Sequence, residues 1–545
     1  MRHSTSLLIV FAVLACLPTI TAAQWYPGGV RITYAPGNEL STGMLPDNTG
    51  GAVIIWHSDP YTPDYQNHQR AQRVNGAGIL KWQSDGVILL PGNGGYGFAA
   101  NSNGTDGVFT AWDNNDLKLQ WFNGAGVPQW PTGGVYLSHI YNYALTRIVT
   151  DQAGGAIVVW FDWRPGHENE LYAQRVNASG TPLWPAEGIP LVVLTSGTWN
   201  ALQDWHSIAS DGAGGVVVAW HDYRTHVTGD IYAQRLSASG QRLWGDEGVL
   251  LCNPAGEQRE PVLASDGAGG AFVAWNDLPT GNVHAQHVDA TGAIQWGANG
   301  IPVHDQASEQ ILRMVVSDGA SGVFINWLDH RAGNNYDQYI QHYNAAGVEQ
   351  WTPGGAKVIA TIGGHAVLSI SPNAQGGALV GFTTGFETRV QRMSPSGARE
   401  LGDQGALVAT GSGIGSVPDG AGGLVIAWTD TEIFAQRVNA DGQVTTAVNA
   451  PTPGAALRVG EIFPNPFSGA TTLDIELAKP AVVRVDVFDV AGRRVREMAL
   501  PESGTSQRIA FDGRNDGGKL LASGVYFCRV QARGESITRK IVITR

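Results

Sequence analysis

The sequence predicts an all-β protein: an eight-bladed β-propeller followed by a small Ig-like β-sandwich. Three observations carry that expectation. A strand-and-turn phrase, SDGAGGVVVAWHDYR at Ser210 to Arg224 and SDGAGGAFVAWND from Ser265, returns eight times before residue 450. The composition combines 72 glycines and 18 tryptophans with only 15% charged residues, a mixture that suits short strands and tight turns. Beyond Ala450 the phrase stops and a run of alternating segments begins.

The first element, residues 1–23, reads as a signal peptide. Arg2 and His3 precede the apolar run Leu7 to Leu17, and Thr21, Ala22 and Ala23 offer small residues for cleavage before Gln24. Cys16 after Val13, Leu14 and Ala15 leaves a lipoprotein alternative open, although Leu14 fits a lipobox poorly. The run is too short to cross a bilayer, and no later stretch approaches the roughly 18 apolar residues a spanning helix needs. No transmembrane helix is therefore expected in the mature chain. Cys252 and Cys528 fall in different domains, so neither a disulfide framework nor a metal spacing can be built from them.

The second element, residues 24–450, is read as the propeller. Its repeat places an aromatic residue at Trp56, Trp112, Trp160, Trp220, Trp275, Trp327, Phe382 and Trp428, in steps of 46 to 60 residues. A fixed period of that size means a propeller, a solenoid or an array. A glutamine recurs in every unit, at Gln72, Gln120, Gln174, Gln234, Gln286, Gln341, Gln391 and Gln436, and a glycine follows six residues later in each. A closing phrase such as LWGDEGVLL, Leu243 to Leu251, ends the unit. Four short strands without helical periodicity fit a propeller blade. The chain ends support a closed ring, because QWYPGG at Gln24 to Gly29 copies the closing phrase QWPTGG at Gln129 to Gly134, which the last unit lacks.

DGAGG is expected to turn between the first two strands, its aspartate bonding local N–H groups and its glycines taking positive φ. Calcium is the rival reading of these acidic, glycine-rich turns. It usually takes several acidic ligands from one loop, whereas each turn here brings one aspartate, and two bring Asn103 and Asn373 instead. The phrase is similar to the Asp-box of sialidase propellers, S-x-D-x-G-x-x-W, but its aromatic falls nine residues after Asp211, which withholds a sialidase assignment. Tryptophans and glutamines that occur in nearly every unit read as packing and backbone satisfaction, since a residue present throughout cannot mark one site.

Function is sought where the units differ, between the aromatic and the glutamine. Four units carry longer excursions there: His57 to Arg70, Phe161 to Tyr172, His221 to Tyr232 and Leu328 to Tyr339. They bring Tyr61, Asp162, Trp163, Arg164, Asp222, Tyr223, Arg224, Asp329, His330 and Arg331, side chains that stack on and hydrogen-bond to polar ligands. The repeated D-x-R pattern reads two ways: as ligand contacts, or as pairs that pin their own loop or bridge to the next blade. An aromatic connection, Leu194 to His206, enriches the same face.

No HExxH, GxSxG, P-loop, dinucleotide fingerprint or Cys/His cluster is present, and no catalytic residue or cofactor is assigned. The span from Gln24 to Ala450 holds 19 Lys and Arg against 37 Asp and Glu, a balance of −18, which would repel nucleic acid.

Residues 451–457 read as a Pro- and Gly-containing linker, and residues 458–545 as a sandwich of strands such as TTLDIEL, AVVRVDVFD and GVYFCRV. FPNPF at Phe463 to Phe467, VRVDVFDVAGRRVREM, FDGRNDGGKLLASGVYFCRV and the closing TRKIVITR resemble the type A C-terminal sorting domain of type IX secretion cargo. The segment is also similar to the Ig-like domain of the flagellar hook-capping protein. The motif positions are Pro464, Asn465, Pro466, Phe467, Gly492, Gly524 and Tyr526. The resemblance implies a Gram-negative-type cell, passage of the outer membrane guided by this tail, the type IX machinery as partner, and a secreted or outer-membrane-surface location. The upstream units are similar to WxD and YAQR repeats of other secreted bacterial proteins, which bring no site residues with them.

Two functions follow as expectations. One is a non-catalytic binding propeller for a glycan, peptide or surface polymer. The other is a secreted polysaccharide hydrolase or lyase using acidic residues of one face. The self-similarity of the units favours the first.

Overall fold

The computed structural model describes residues 25–544 apart from 26–27, 34–39, 58–67, 84–85, 91–96, 140–144, 165–169, 194–202, 225–227, 306–307, 332, 334–335, 361–364, 374, 431, 446–456, 464, 466, 478 and 501–505. The leader, most of the linker, Tyr61, Pro464 and Pro466 lie outside the described residues. No described residue is helical. Ahead of the tail, the described strands form eight four-stranded antiparallel sheets, numbered below as blades one to eight in chain order.

Blade four shows how the phrase becomes structure. Its strands are Gln203–Ser210, Val216–Asp222, Asp230–Leu236 and Val249–Cys252. The second strand, VVVAWHD, is buried along its whole length, as expected of β-branched residues covered on both faces. First strands of successive blades touch one another around a ring, and that of blade eight, Ser412–Pro418, returns to that of blade one, Leu40–Pro46. An apolar cluster fills every gap between neighbouring blades, including the gap between the last and the first.

The recurrent residues are the joints of this ring. Gln174 accepts the backbone N–H groups of Arg175 and Trp184, both at 3.0 Å, and donates to the carbonyl of Pro185 at 2.9 Å, tying the third strand to the closing phrase. Asp151, in the first turn of blade three, accepts from the N–H groups of Ala153 and Gly155 at 2.8 and 2.7 Å through Oδ1. Its Oδ2 pairs with Arg175 at 2.9 Å. Arg175 then donates to the carbonyl of Ala238 in blade four, and Trp184 Nε1 donates to that same oxygen. The shared acceptor recurs: Gly124 receives Arg73 and Trp82, Ala290 receives Arg235 and Trp244, and Ala345 receives His287 and Trp296. Both oxygens of the turn aspartate are thus engaged within the fold.

In six blades the glycine six residues after the glutamine seats the tryptophan of the preceding blade, and in blade eight Gly442 meets Leu401 instead. Gly292 has φ +87°, and a Cβ there would lie 2.9 Å from the Trp244 ring. Conformation and space both call for glycine at this position.

The seam uses the same parts. Val30–Arg31 pairs antiparallel with Ile433–Val438 as the fourth strand of blade eight, Val30 opposite Ala435. Trp25 is fully buried between Trp56 of blade one and Val425 of blade eight. The N-terminal copy of the closing phrase therefore completes the last blade.

The tail packs a three-stranded sheet, Leu457–Phe463, Thr471–Leu477 and Ser506–Phe511, on a four-stranded one. The latter runs in the order Arg494–Leu500, Val483–Asp489, Gly524–Ala532, Glu535–Ile543. Leu457, Ile475, Val485, Val530 and Ile541 build its core. The motif residues hold this sandwich shut. Asn465 accepts from the N–H of Val542 at 2.7 Å and donates to the carbonyl of Lys540 at 2.8 Å. Phe467 is buried, and its backbone exchanges bonds with Val542 and Thr544. Gly492, at φ +78°, ends the Asp489 turn, Gly524 opens the strand opposite Ile543, and Tyr526 donates its hydroxyl to the carbonyl of Ala522 at 3.0 Å.

Candidate ligand-binding face

In an antiparallel blade the loop between strands two and three and the connection to the next blade leave from one end; the DGAGG turns leave from the other. The loop end carries the D-x-R triplets, and three blades build them alike. Asp162, Asp222 and Asp329 are fully buried. Each accepts the indole N–H of the tryptophan two residues earlier, Trp160, Trp220 or Trp327, at 3.2, 2.6 and 2.9 Å. Each also pairs with the arginine two residues later, Arg164, Arg224 or Arg331. The guanidinium lies over Tyr172, Tyr232 or Tyr339 at 4.2, 4.1 and 3.9 Å, a stabilising cation–π geometry. It also donates to a carbonyl of the closing phrase, at Glu187, Glu247 or Gly354. Burial would raise the carboxyl pKa of Asp329, but the bonds from Arg331 and Trp327 outweigh it and hold the group below the usual carboxylate range.

The middle residue of each triplet stands apart from this lock. Trp163, Tyr223 and His330 are half-buried. Tyr223 packs on His221 with centroids 4.4 Å apart, and His330 stacks on Tyr336 at 5.0 Å. The fold thus brings aspartate and arginine together inside each blade and leaves the intervening ring toward solvent.

Three aromatic residues that the loop lengths do not single out are the most open on this ring. Among the described residues of the propeller, the exposed aromatics are Tyr136, Trp205 and Phe386, at 45%, 53% and 80%. All three lie toward the loop end. Phe386 tips the short hairpin between Ala378–Thr384 and Glu387–Met393. Trp205 sits near the outset of the inner strand of blade four. Tyr136 donates its hydroxyl to Glu187 at 2.7 Å, and burial, then that acid, raise its pKa. Trp205 lies within the aromatic connection Leu194 to His206 noted in the sequence; a glycine-bounded, two-residue turn gave no comparable signal for Phe386. Among the described residues no group of three or more His, Cys, Asp or Glu is arranged to hold a metal ion, and no helix is long and apolar enough to cross a membrane.

Fold and face together define a two-part all-β protein, a ring of blades with a variable, aromatic loop end, followed along the chain by an Ig-like sandwich. Residues 461–544 match the family model of the secretion system C-terminal sorting domain. The tail marks the protein as type IX secretion cargo, exported to the cell surface or secreted. No curated protein matches the chain. Among solved structures, prolyl oligopeptidase B from Galerina marginata is similar at 8% identity and TM-score 0.41, over 81% of this chain and 56% of that one. The chain therefore spans little more than half of that enzyme's length. PorZ, a surface component of the type-IX secretion system of Porphyromonas gingivalis, is similar at 12% identity and TM-score 0.28, over 93% and 81%. An α-L-arabinanase of Penicillium chrysogenum complexed with arabinobiose is similar at 12% identity and TM-score 0.29, over 54% and 92%. Likenesses this distant assign no activity.

Proposed function

We propose that this protein is a non-catalytic binding propeller, sent out through a leader at residues 1–23 and the sorting tail, that holds a glycan, peptide or surface polymer against its loop end. One observation carries the reading: the exposed aromatics Tyr136, Trp205 and Phe386 gather toward the end where the blades differ, while the other end repeats one joint. Exposed rings on a rigid scaffold are the usual anchors of saccharide and peptide recognition. Within the triplets, Trp163, Tyr223 and His330 are the contact candidates, and each aspartate–arginine pair holds its loop in place for them.

A thermal-shift screen of the full chain against soluble polysaccharides and peptides, with products analysed in the same wells, tests this. A ligand present at about 100 times its dissociation constant adds roughly 2.7 kcal/mol of stability. A shift without product is expected. Release of shortened chains would replace this reading with the hydrolase or lyase.

A further inference from the structure

The innermost strands line the ring axis, and toward the loop end three neighbouring blades depart from regular backbone. Leu145, just ahead of the inner strand of blade three, has φ +40°; Trp205 in blade four has φ +37°; Glu260 in blade five has φ +56°. Left-handed backbone is uncommon for side chains of this bulk, and such strain clusters at ligand sites. Strand pairing slips at this level in six of the eight blades, among them between Asp204 and His206 in blade four, between Arg259 and Val262 in blade five and between Leu312 and Met314 in blade six, so that the residue at the slip differs from blade to blade. A bulge re-aims its side chain. Here the bulges leave Trp205 and Arg313 exposed, and Arg147, at a similar level in blade three, is exposed as well.

The charges around them are unusual for this protein. With 19 cations against 37 acids in the propeller, basic side chains have no shortage of partners, as Arg73, Arg175, Arg235 and Arg437 illustrate. Among the described residues, Arg147 and Arg313 have no acid within ion-pair distance. Among the described residues, the only hydrogen bond made by the Arg147 guanidinium goes to the carbonyl of Thr146. Arg259, between them in the ring, is engaged by Glu257 and Glu260, and Glu260 also accepts from Asn276.

We propose that Arg147, Trp205 and Arg313, on the inner strands of blades three, four and six, form a site for acidic saccharides at the loop-end mouth of the ring. The apolar face of a pyranose stacks on the Trp205 indole, and sugar carboxylates pair with the two arginines. Planar carboxylates match the guanidinium fork. The balance of −18 disfavours a densely charged polyphosphate far more than a polymer with one carboxylate per sugar. This site rests on the binding reading above and gives it a location and a charge class.

The test is titration of the full chain with oligogalacturonate, with neutral dextran and laminarin oligomers beside it. Oligogalacturonate is expected to bind, more weakly as salt rises. Arg147→Gln with Arg313→Gln, and separately Trp205→Ala, should each weaken it about tenfold or more. Lys81→Gln, at an exposed cation of blade one, should leave it unchanged. Melting curves matching the parent's confirm that each variant is folded, and Trp205→Phe, which keeps a stacking ring, should recover most of the loss. Undiminished affinity in the double arginine variant overturns the site. Binding of neutral oligomers alone also overturns it and leaves the binding propeller standing. Silence toward all saccharides, together with silence in the peptide and polymer screen, overturns both.

Discussion

The indole Nε1 of Trp25 donates to the carbonyl of Gly76 at 3.0 Å, joining the start of the propeller to the blade that follows the last one around the ring. Arg437 of blade eight reaches the same oxygen, so the seam repeats the two-donor joint found between interior blades. Trp25→Ala removes a fully buried ring and should cost about 3 to 5 kcal/mol. Trp25→Phe should cost less, since it keeps most of the packing. Urea midpoints of the two variants against the parent check the order.

The aspartates of the triplets should prove structural. Asp222→Ala strands the Arg224 guanidinium and the Trp220 N–H inside blade four. Removing one member of a buried pair costs about 3 to 5 kcal/mol. A loss below about 1 kcal/mol in chemical denaturation would show that the lock contributes little.

Gly292→Ala should be more harmful than its size suggests. It opposes a φ of +87° and drives a methyl group against Trp244. A cost well above about 1 kcal/mol is expected, against roughly 1 kcal/mol for Gly267→Ala, where φ is also positive but space is open and only the conformational part remains. Comparing the two melting points separates packing from backbone.

His206 gives the propeller an acid-side weakness. Burial, then the charge of Arg147, push its pKa down to about 3. The depressed value means that stability is full above the unfolded pKa near 6.5 and is lost as pH falls toward 3. By linkage this amounts to about 2 kcal/mol between pH 7 and 5. His206→Phe should flatten that part of the stability–pH curve; an unchanged slope would assign it to other groups.

Asn465→Ala should loosen the end of the tail. Val542 loses its acceptor and Lys540 its donor, a cost of about 1 kcal/mol for bonds at a half-exposed side chain. Faster hydrogen exchange at the Val542 amide, with the amide of Val530 unchanged, is the expected signature.

Much of this fold is legible in the sequence because each joint is local. Gln174 bonds within its own blade, the Asp151 turn closes over four residues, and QWYPGG announces its role by copying QWPTGG. The partnership of Asp151 with Arg175 and then with Ala238 of the next blade is hidden, because it depends on which edge of a strand meets its neighbour. The loop excursions mark the variable end, but residue type alone does not separate a buried Asp222 from the half-buried Tyr223 beside it. Arg147 and Arg313 escape sequence reading altogether: neither repeats, and what distinguishes them is exposure at the loop end of an inner strand with no acid within ion-pair distance among the described residues.

The clamp of Asn465 and Phe467 on the last strand makes the sorting domain dependent on its own far end. Two of the segments it holds together, one at Asn465 and Phe467 and the other at Lys540 to Thr544, lie about 75 residues apart in the chain. A tail clipped between these segments lacks the strand that closes the sandwich. Such a chain carries the letters of the address without its folded form, so a single nick that spares most of the motif is enough to undo the tail as a folded unit.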